Sequence, residues 1–366
     1  MRLRRITLQH VRNLSLVTLT LTGRQQFIVG ANGQGKTNLL EAVGLLTALR
    51  SFRAADARLL IAHGQVEAAM GFELEHERLG ATRVVVRLEG GSKEVTVDNE
   101  RILKLGDFLG RFPTVVFSSQ DQQLIRGNPT GRRRWLDLTL AAMDPLYLQT
   151  LQGYHRALAG RNALLKRAAS DAELAAFERP LASHGARLLE IRAEGLTHLA
   201  ERLHAAYLRI APIGSVERVG FRYAPDVAPL AETSLLAKFA QWRARDAQFR
   251  STLNGPHRDD FEFTLGERLA RDVASEGQQR TLVLALRMAQ ADWFFLKSGV
   301  APLILADDVL GELDPERRAG FWAALQNDWQ VIATGTRLPE SERDAWEIFT
   351  VANGSFSAAK PPGTLP

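Results

Sequence analysis

The sequence predicts a mixed α/β fold in which both ends of the chain build one domain and a mainly helical lobe is inserted between them. Three observations lead to this prediction. A glycine-rich segment joins a strand pattern to a helix pattern near the start, helical spacing dominates the middle, and buried-strand patterns return near the end of the 366 residues. A hydrophobic fraction of 45% with 24% charged residues is typical of a globular protein of about two domains.

The N-terminal part reads as strands around one helix. Apolar residues alternate with threonine over Val17–Leu21, which is the period of a half-buried strand. Gly90 and Gly91 lie between two further strand patterns and predict a hairpin. We therefore expect residues 1–120 to form the first part of the α/β domain.

The middle of the chain has a helical pattern. Pro129 and Pro145 are suited to the first turns of two helices, because the fixed φ of proline fits that position. Apolar residues then recur at helical spacing over Leu188–Tyr207. These observations predict an inserted, mainly helical domain over residues 121–260.

Strand patterns resume after that lobe. Phe261 and Phe263 alternate with polar residues, and the apolar run Pro302–Ala306 is typical of a central parallel strand. The run Val331–Thr334 indicates another strand. Residues 261–366 are therefore expected to complete the α/β domain.

The segment Gly30–Thr37 has the spacing of a phosphate-binding loop, and it lies between an apolar run and a helix pattern. Glycines let the backbone N–H groups approach phosphate oxygens, and the helix N-terminus adds positive partial charge. Lys36 is expected to neutralise the β- and γ-phosphates of a nucleotide as a catalytic residue, and Thr37 to hold Mg²⁺; this loop alone would fit kinases, GTPases and many ATPases. The predicted nucleotide contacts are Gly30, Ala31, Asn32, Gly33, Gln34, Gly35, Lys36, Thr37 and Asn38.

Two carboxylates follow the apolar run before residue 307. We expect Asp307 to hold Mg²⁺ and Asp308 to orient the attacking water as the catalytic carboxylate. The chain has no cysteine, and its eight histidines lack the H-x-x-x-H spacing. The sequence therefore excludes disulfides, thiolate zinc sites and cysteine nucleophiles, and a metal ion would be held by oxygen atoms.

A second helix N-terminus suited to anions lies at Ser275–Gln279, where a hydroxyl, a glycine and polar residues precede a long apolar helix pattern. This segment resembles the signature motif of ABC-type ATPases, and Gly311–Asp314 resembles their D-loop. The resemblance implies an ABC-type ATPase head in which the signature of one copy contacts ATP on the P-loop of another. It assigns Ser275, Gly277 and Gln278 to ATP and implies an ATP-dependent homodimer.

Further stretches resemble the bacterial RecF family of recombination-repair proteins. In chain order they are Val11–Asn13, Gly127–Asp137, Arg161–Lys166, Gly255–Asp260 and Ser275–Thr281. The resemblance implies an ATPase that binds single-stranded, double-stranded and gapped or junction DNA, and that acts with RecO and RecR to help load RecA. It also places Arg12 among the ATP contacts.

The sequence departs from those family patterns in three segments. Gln120 stands where an acidic motif is usual, and a glutamine there resembles the Q-loop of other ABC heads, which implies a catalytic contact to Mg²⁺ or water. Gly311 replaces the usual serine of the D-loop. Thr334 and Thr336 stand where many ABC enzymes have a switch histidine, so we expect a slow ATPase, stimulated by DNA.

The run Arg132, Arg133 and Arg134 lies near a predicted helix start, where cations oppose the helix dipole. DNA phosphates would relieve that strain, and a solvated face is the other interpretation. The sequence does not assign a role to His257 and Arg258, because a hairpin turn and a functional site are both compatible with these residues.

The net charge and the N-terminal segment indicate which partners and which compartment to expect. A net charge of +5 is compatible with a polyanionic partner. The absence of an unbroken apolar stretch in the first twenty residues leads us to expect a cytoplasmic protein without a membrane partner.

Three other functions are alternatives to a RecF-like ATPase. They are an SMC-like head, the energy subunit of a transporter and a small-molecule kinase, but the kinase leaves the signature segment unexplained.

Overall fold

The computed structural model describes residues 1–54, 56–337 and 346–359. The strands in these ranges are β1 Arg2–Val11, β2 Leu14–Thr20, β3 Gln25–Val29, β4 Glu67–His76, β5 Gly80–Glu89, β6 Ser92–Val97, β7 Glu100–Arg101, β8 Thr114–Ser118, β9 Val219–Ala224, β10 Asp260–Leu265, β11 Arg268–Leu269, β12 Leu303–Asp307, β13 Gln330–Gly335, β14 Glu347–Ala352 and β15 Ser355–Ala358. The α-helices are α1 Lys36–Ala48, α2 Gln123–Arg126, α3 Pro129–Met143, α4 Pro145–Lys166, α5 Asp171–Ile210, α6 Glu232–Phe249, α7 Ala270–Val273, α8 Glu276–Ser298 and α9 Pro315–Ala324.

The chain forms two compact units. Unit 1 consists of Met1–Asp121, Ala206–Ser215 and Leu284–Pro366. Unit 2 consists of Gln122–Ala205 and Val216–Val283. None of the helices in the described ranges is both long enough and apolar enough to cross a membrane.

The units divide at different residues from the two domains predicted above. Residues 261–283 belong to unit 2 because β10 pairs with β9 and β11 in a separate three-stranded sheet. The alternating pattern of Phe261 and Phe263 identified β10 as a strand. Which sheet β10 joins depends on the strands it pairs with, and these are distant in the sequence. The predicted α/β segment 261–366 also includes residues 338–345 and 360–366, which lie outside the described residues.

A largely parallel sheet in unit 1 sets the positions of the polar loops. Its strand order is β15-β14-β3-β13-β12-β8, and every neighbouring pair except β14–β15 is parallel. Leu303–Ala306 of β12 is fully buried, as the apolar run predicts. Since parallel strands end at a common edge, the loops after β3, β8 and β12 lie at the same edge of the sheet.

The second sheet of unit 1 is antiparallel in the order β2-β1-β4-β5-β6-β7. The predicted glycine hairpin joins β5 to β6, where Glu89 pairs with Ser92. Both sheets contribute to one apolar core with α1, in which Leu39, Leu40 and Val43 are fully buried. The buried residues of α1 therefore anchor the helix that follows the phosphate-binding loop.

Candidate nucleotide-binding site

The segment that joins β3 to α1 has the backbone of a phosphate cradle. Gly35, just before α1, has a φ of 110°, and a Cβ at this position would lie 2.6 Å from a methyl carbon of Leu14. A Cβ on Gly30 would lie 2.6 Å from the carbonyl oxygen of Val351. At Gly35, only glycine can adopt the positive φ and also avoid the contact with Leu14. The loop can therefore pass close to its neighbours, with its backbone N–H groups available in front of α1.

Lys36 closes the loop on itself. This buried side chain donates from Nζ to the carbonyl oxygens of Gly30 at 2.7 Å and Ala31 at 3.0 Å. An ammonium group has three N–H donors, so one donor remains for a phosphate oxygen. The same residue can thus shape the cradle and neutralise its ligand.

The hydroxyl of Thr37 lies beside the carboxylate at the end of β12. Thr37 Oγ1 donates to Asp307 Oδ1 at 2.8 Å, and Thr334 Oγ1 donates to the same oxygen at 3.0 Å. Burial raises the pKa of Asp307, while the hydrogen bonds from the two threonines lower it. A divalent cation next to this carboxylate would stabilise its ionised form.

The donor atoms at this point fit Mg²⁺. Mg²⁺ prefers oxygen ligands and is commonly bound by one or two protein groups together with phosphate oxygens. Across residues 1–54, 56–337 and 346–359, no group of three or more His, Cys, Asp or Glu side chains is arranged to hold a metal ion. Thr37 and Asp307 would bind Mg²⁺ together with the phosphates of a nucleotide.

Asp308 follows β12 as an exposed residue with a φ of 58°. Its backbone N–H donates to Thr334 Oγ1 at 3.1 Å, which helps to hold this left-handed conformation. Such a φ is uncommon outside glycine, although aspartate is among the residues that tolerate it. The turn separates the two carboxylates, since Asp307 points to Thr37 and Asp308 is left accessible to water.

Gln120 lies in the short 3₁₀ turn Ser119–Gln122, directly after β8, and it is exposed. The last residue of β8 pairs with Asp307 in the parallel register. Gln120 therefore lies at the edge of the sheet that carries Asp307. The next residue, Asp121, is buried and forms a salt bridge with Arg287, so it anchors the turn.

A buried carboxylate that the sequence analysis missed lies one turn into α1. Glu41 is fully buried and accepts hydrogen bonds from Arg12 Nε at 3.1 Å and Nη2 at 2.9 Å. Ser51 also donates to Glu41, and Arg53 lies within 3.5 Å. Arg53 in turn donates to Asn38 Oδ1 at 2.9 Å. One carboxylate thus holds the predicted ATP contact Arg12 and a second guanidinium beside the loop.

Two asparagines connect β1 with the cradle. Asn13 donates from Nδ2 to the carbonyl oxygen of Gly33 at 3.0 Å and accepts from Asn38 Nδ2 at 2.7 Å. Their side chains therefore stabilise the tip of the loop.

The sequence does contain a signal for the buried carboxylate of Glu41. It is the single acidic residue inside the otherwise apolar stretch Leu39–Leu46, and a charge on a buried helix face needs a partner.

The predicted signature segment forms the N-terminus of α8 in unit 2. Ser275 Oγ accepts from the backbone N–H of Gln278 at 3.2 Å, and Gln278 Oε1 accepts from the backbone N–H of Ser275 at 2.9 Å. This reciprocal pair is a capping box. Ser275 is exposed, and Gly277 is half-buried. Gln278 Nε2 also donates to Glu217, so this glutamine has a structural role.

The arginine run on α3 separates into different environments. Arg132 is buried and forms a salt bridge with Asp260, with Nε and Nη2 donating at 2.8 and 2.7 Å. Arg133 is half-buried and donates to the carbonyl oxygen of Asp259 at 2.7 Å. The prediction of a DNA contact is therefore wrong for Arg132, whose guanidinium is used inside unit 2. Arg134 is exposed, and its contact with DNA stays a prediction.

His257, which the sequence left without a role, is an interior hydrogen-bonding residue. Its Nε2 lies 3.0 Å from the carbonyl oxygen of Thr252, which can only accept, so Nδ1 accepts the hydrogen bond of the Tyr154 hydroxyl at 2.7 Å. Burial lowers the pKa of His257 to about 4. The imidazole is therefore neutral near pH 7 and positions the turn, while Arg258 beside it is exposed.

Comparisons with known proteins show which family this chain resembles. The family described as the RecF/RecN/SMC N terminal domain matches residues 2–353. A DNA replication and repair protein RecF from Trichlorobacter lovleyi is 36% identical, with 97% of this chain and 98% of the relative covered. A RecF protein from a Synechococcus strain is 37% identical over the full length of both chains.

Solved structures show the same fold. A structure described as the recombination mediator protein RecF-ATP in the RecFOR pathway has a TM-score of 0.90 and 27% identity, covering 98% of this chain and 97% of the other. An Smc head bound to a domain of ScpA has a TM-score of 0.54 at 14% identity, a likeness of fold alone. The predicted α/β head with an inserted helical part is confirmed, and the chain belongs to the RecF family within the RecF/RecN/SMC group.

Proposed function

We propose that this protein is an ATP-dependent DNA-binding protein of recombination repair that hydrolyses ATP slowly. The hydrogen bond between Thr37 and Asp307 carries the proposal, because it joins the phosphate loop after β3 to the carboxylate at the end of β12. A RecF relative whose structure is described as an ATP complex supports ATP as the nucleotide. Mg²⁺ is the cofactor that suits the oxygen donors.

Each side chain has a separate task in this proposal. The loop N–H groups and Lys36 bind the phosphates, and Thr37 with Asp307 would hold Mg²⁺, which would supply positive charge beside the phosphoryl oxygens. Asp308 orients the attacking water from the adjacent position. Gln120, at the same sheet edge, contacts Mg²⁺ or that water. Arg12, which Glu41 holds in place, supplies a further cation for the nucleotide.

The expected result of Asp308→Asn is a protein that binds ATP with native affinity and hydrolyses it at least about tenfold more slowly. The variant removes the carboxylate that orients water but leaves the cradle and Asp307 in place, and positioned general bases typically contribute 10²–10⁴-fold. ATP affinity by fluorescence titration and phosphate release in single turnover would separate the two effects. Hydrolysis at the native rate would assign the water-orienting role to another residue.

The proposed assembly is a homodimer in which ATP is held between the P-loop of one copy and the α8 N-terminus of the other. Each chain contains one P-loop and one signature segment, so two copies would form two equivalent sites. The exposed hydroxyl of Ser275 supports this proposal. The dimer would act in the cytoplasm at single-stranded, double-stranded, gapped or junction DNA and, with RecO and RecR, assist RecA loading.

The function is tested by measuring DNA affinity with and without ATP and Mg²⁺ on gapped, single-stranded and blunt duplex oligonucleotides. We expect ATP to raise the affinity for at least one of these substrates. The affinity should fall steeply between about 50 and 200 mM salt, because phosphate neutralisation releases counterions. A lack of DNA binding under all of these conditions would contradict the proposed function.

A further inference from the structure

One face of α6 carries a series of cationic and aromatic side chains. Lys238, Trp242, Arg245 and Phe249 are spaced by four, three and four residues, which places them on one narrow face along about 16 Å of helix. Arg245 and Phe249 are exposed, and the two others are half-buried. We refer to these four residues as the α6 stripe.

The cations of the α6 stripe lie against an aromatic ring. Lys238 Nζ and Arg245 Cζ are each 4.9 Å from the centroid of the Trp242 ring. In the part of the chain that the structure describes, neither cation has a carboxylate within ion-pair distance. Asp246, the nearest acid on α6, is buried against Arg161. The α6 stripe therefore presents positive charge that no neighbouring side chain neutralises.

Phe249 is the residue that internal packing does not explain. The contacts of Lys238 and Arg245 with the Trp242 ring are attractive, so they account for these three residues. The Phe249 ring, in contrast, is 58% exposed at the last position of α6. A large flat ring held in solvent next to cations is suited to a ligand that is both aromatic and anionic.

We infer that the α6 stripe is a stacking surface for single-stranded DNA. A base stacks on Phe249, while Lys238 and Arg245, which pack on the Trp242 ring, lie next to the phosphates of the same strand. Bases in a duplex already stack on each other, so a blunt duplex cannot use the Phe249 ring in this way. This inference rests on the proposed DNA-binding function and adds a site on unit 2 that prefers single strands.

The test compares variants for binding to a fluorescein-labelled oligothymidylate and to a blunt duplex of the same length. Phe249→Ala should lower the oligothymidylate affinity about tenfold, because one stacked base contributes about 1–3 kcal/mol. Arg245→Ala should reduce the salt slope by about 0.7, the value for one phosphate contact on a single strand. Duplex affinity should stay within about twofold of native. Phe249→Trp should retain the native single-strand affinity.

The matched controls are Leu296→Ala, at an apolar residue that is 64% exposed, and Arg179→Ala, at an exposed arginine of unit 2. Both should bind the oligothymidylate as the native protein does. Native single-strand affinity of Phe249→Ala, together with normal duplex binding, would overturn the stacking surface and leave the proposed function intact. An equal loss of affinity for poly-L-glutamate would also overturn it, since the stripe would then bind acidic chains of any kind. Failure of the native protein to bind any DNA would overturn both proposals.

Discussion

Lys36→Met is expected to abolish ATP binding while the protein stays folded. The variant removes the ammonium that bridges Gly30 and Ala31 and would donate to a phosphate, so the cradle loses its buried cation. A charge-assisted hydrogen bond contributes about 1.5–3 kcal/mol, so the loss of the bond to phosphate corresponds to at least about a tenfold loss of affinity, and the loss of the two bonds that shape the loop adds to it. Titration with a fluorescent ATP analogue measures the loss.

Circular dichroism and urea denaturation serve to check the fold of this variant. Lys297→Met is a suitable control, because Lys297 is exposed on α8 and also loses one positive charge. We expect the control to bind ATP normally. Native affinity in Lys36→Met would place the nucleotide elsewhere.

Ser275→Arg should prevent ATP-dependent dimerisation and leave ATP binding unchanged. The substitution places a long cation at the exposed N-terminus of α8, where it occupies the space proposed for the ATP of a second copy and opposes the helix dipole. It also removes the capping hydroxyl, at a cost of about 1 kcal/mol of stability. Sedimentation velocity with ATP and Mg²⁺ should show a monomer.

The choice of controls separates the interface from helix capping. Ser275→Ala removes the same cap without adding bulk, so it should be destabilised similarly and still dimerise in part. Thr233→Arg adds an arginine to the exposed first turn of α6 and should dimerise normally. A full dimer population in Ser275→Arg would show that this residue lies outside the ATP-dependent interface.

The phosphate loop was predictable because its function depends on consecutive residues. A glycine with a φ of 110° at Gly35, a lysine at the helix start and the threonine after it form a pattern that the backbone makes locally. The apolar run before Asp307 was recognisable for a similar reason, since a strand buried on both faces carries only apolar residues. The capping residues of α8 are also local, because Ser275 and Gln278 are three positions apart.

Contacts between distant residues were decided by the tertiary structure. The sequence places three arginines in a row, but only packing shows that Arg132 enters the interior to meet Asp260, 128 positions away, while Arg134 faces solvent. Glu41 holds Arg12 in the same way. A buried charge needs a partner of opposite charge, and the fold decides which residue, often distant in the sequence, lies next to it.

The sequence by itself therefore determined the phosphate loop, the carboxylate strand, the mixed α/β class and the RecF resemblance, since each of these can be recognised in short stretches of consecutive residues. Tertiary structure alone decided that β10 joins a separate sheet, that Thr334 shares Asp307 with Thr37, and which arginines remain exposed. These features depend on strand pairing and on the desolvation of charges, and both of these are properties of the folded chain.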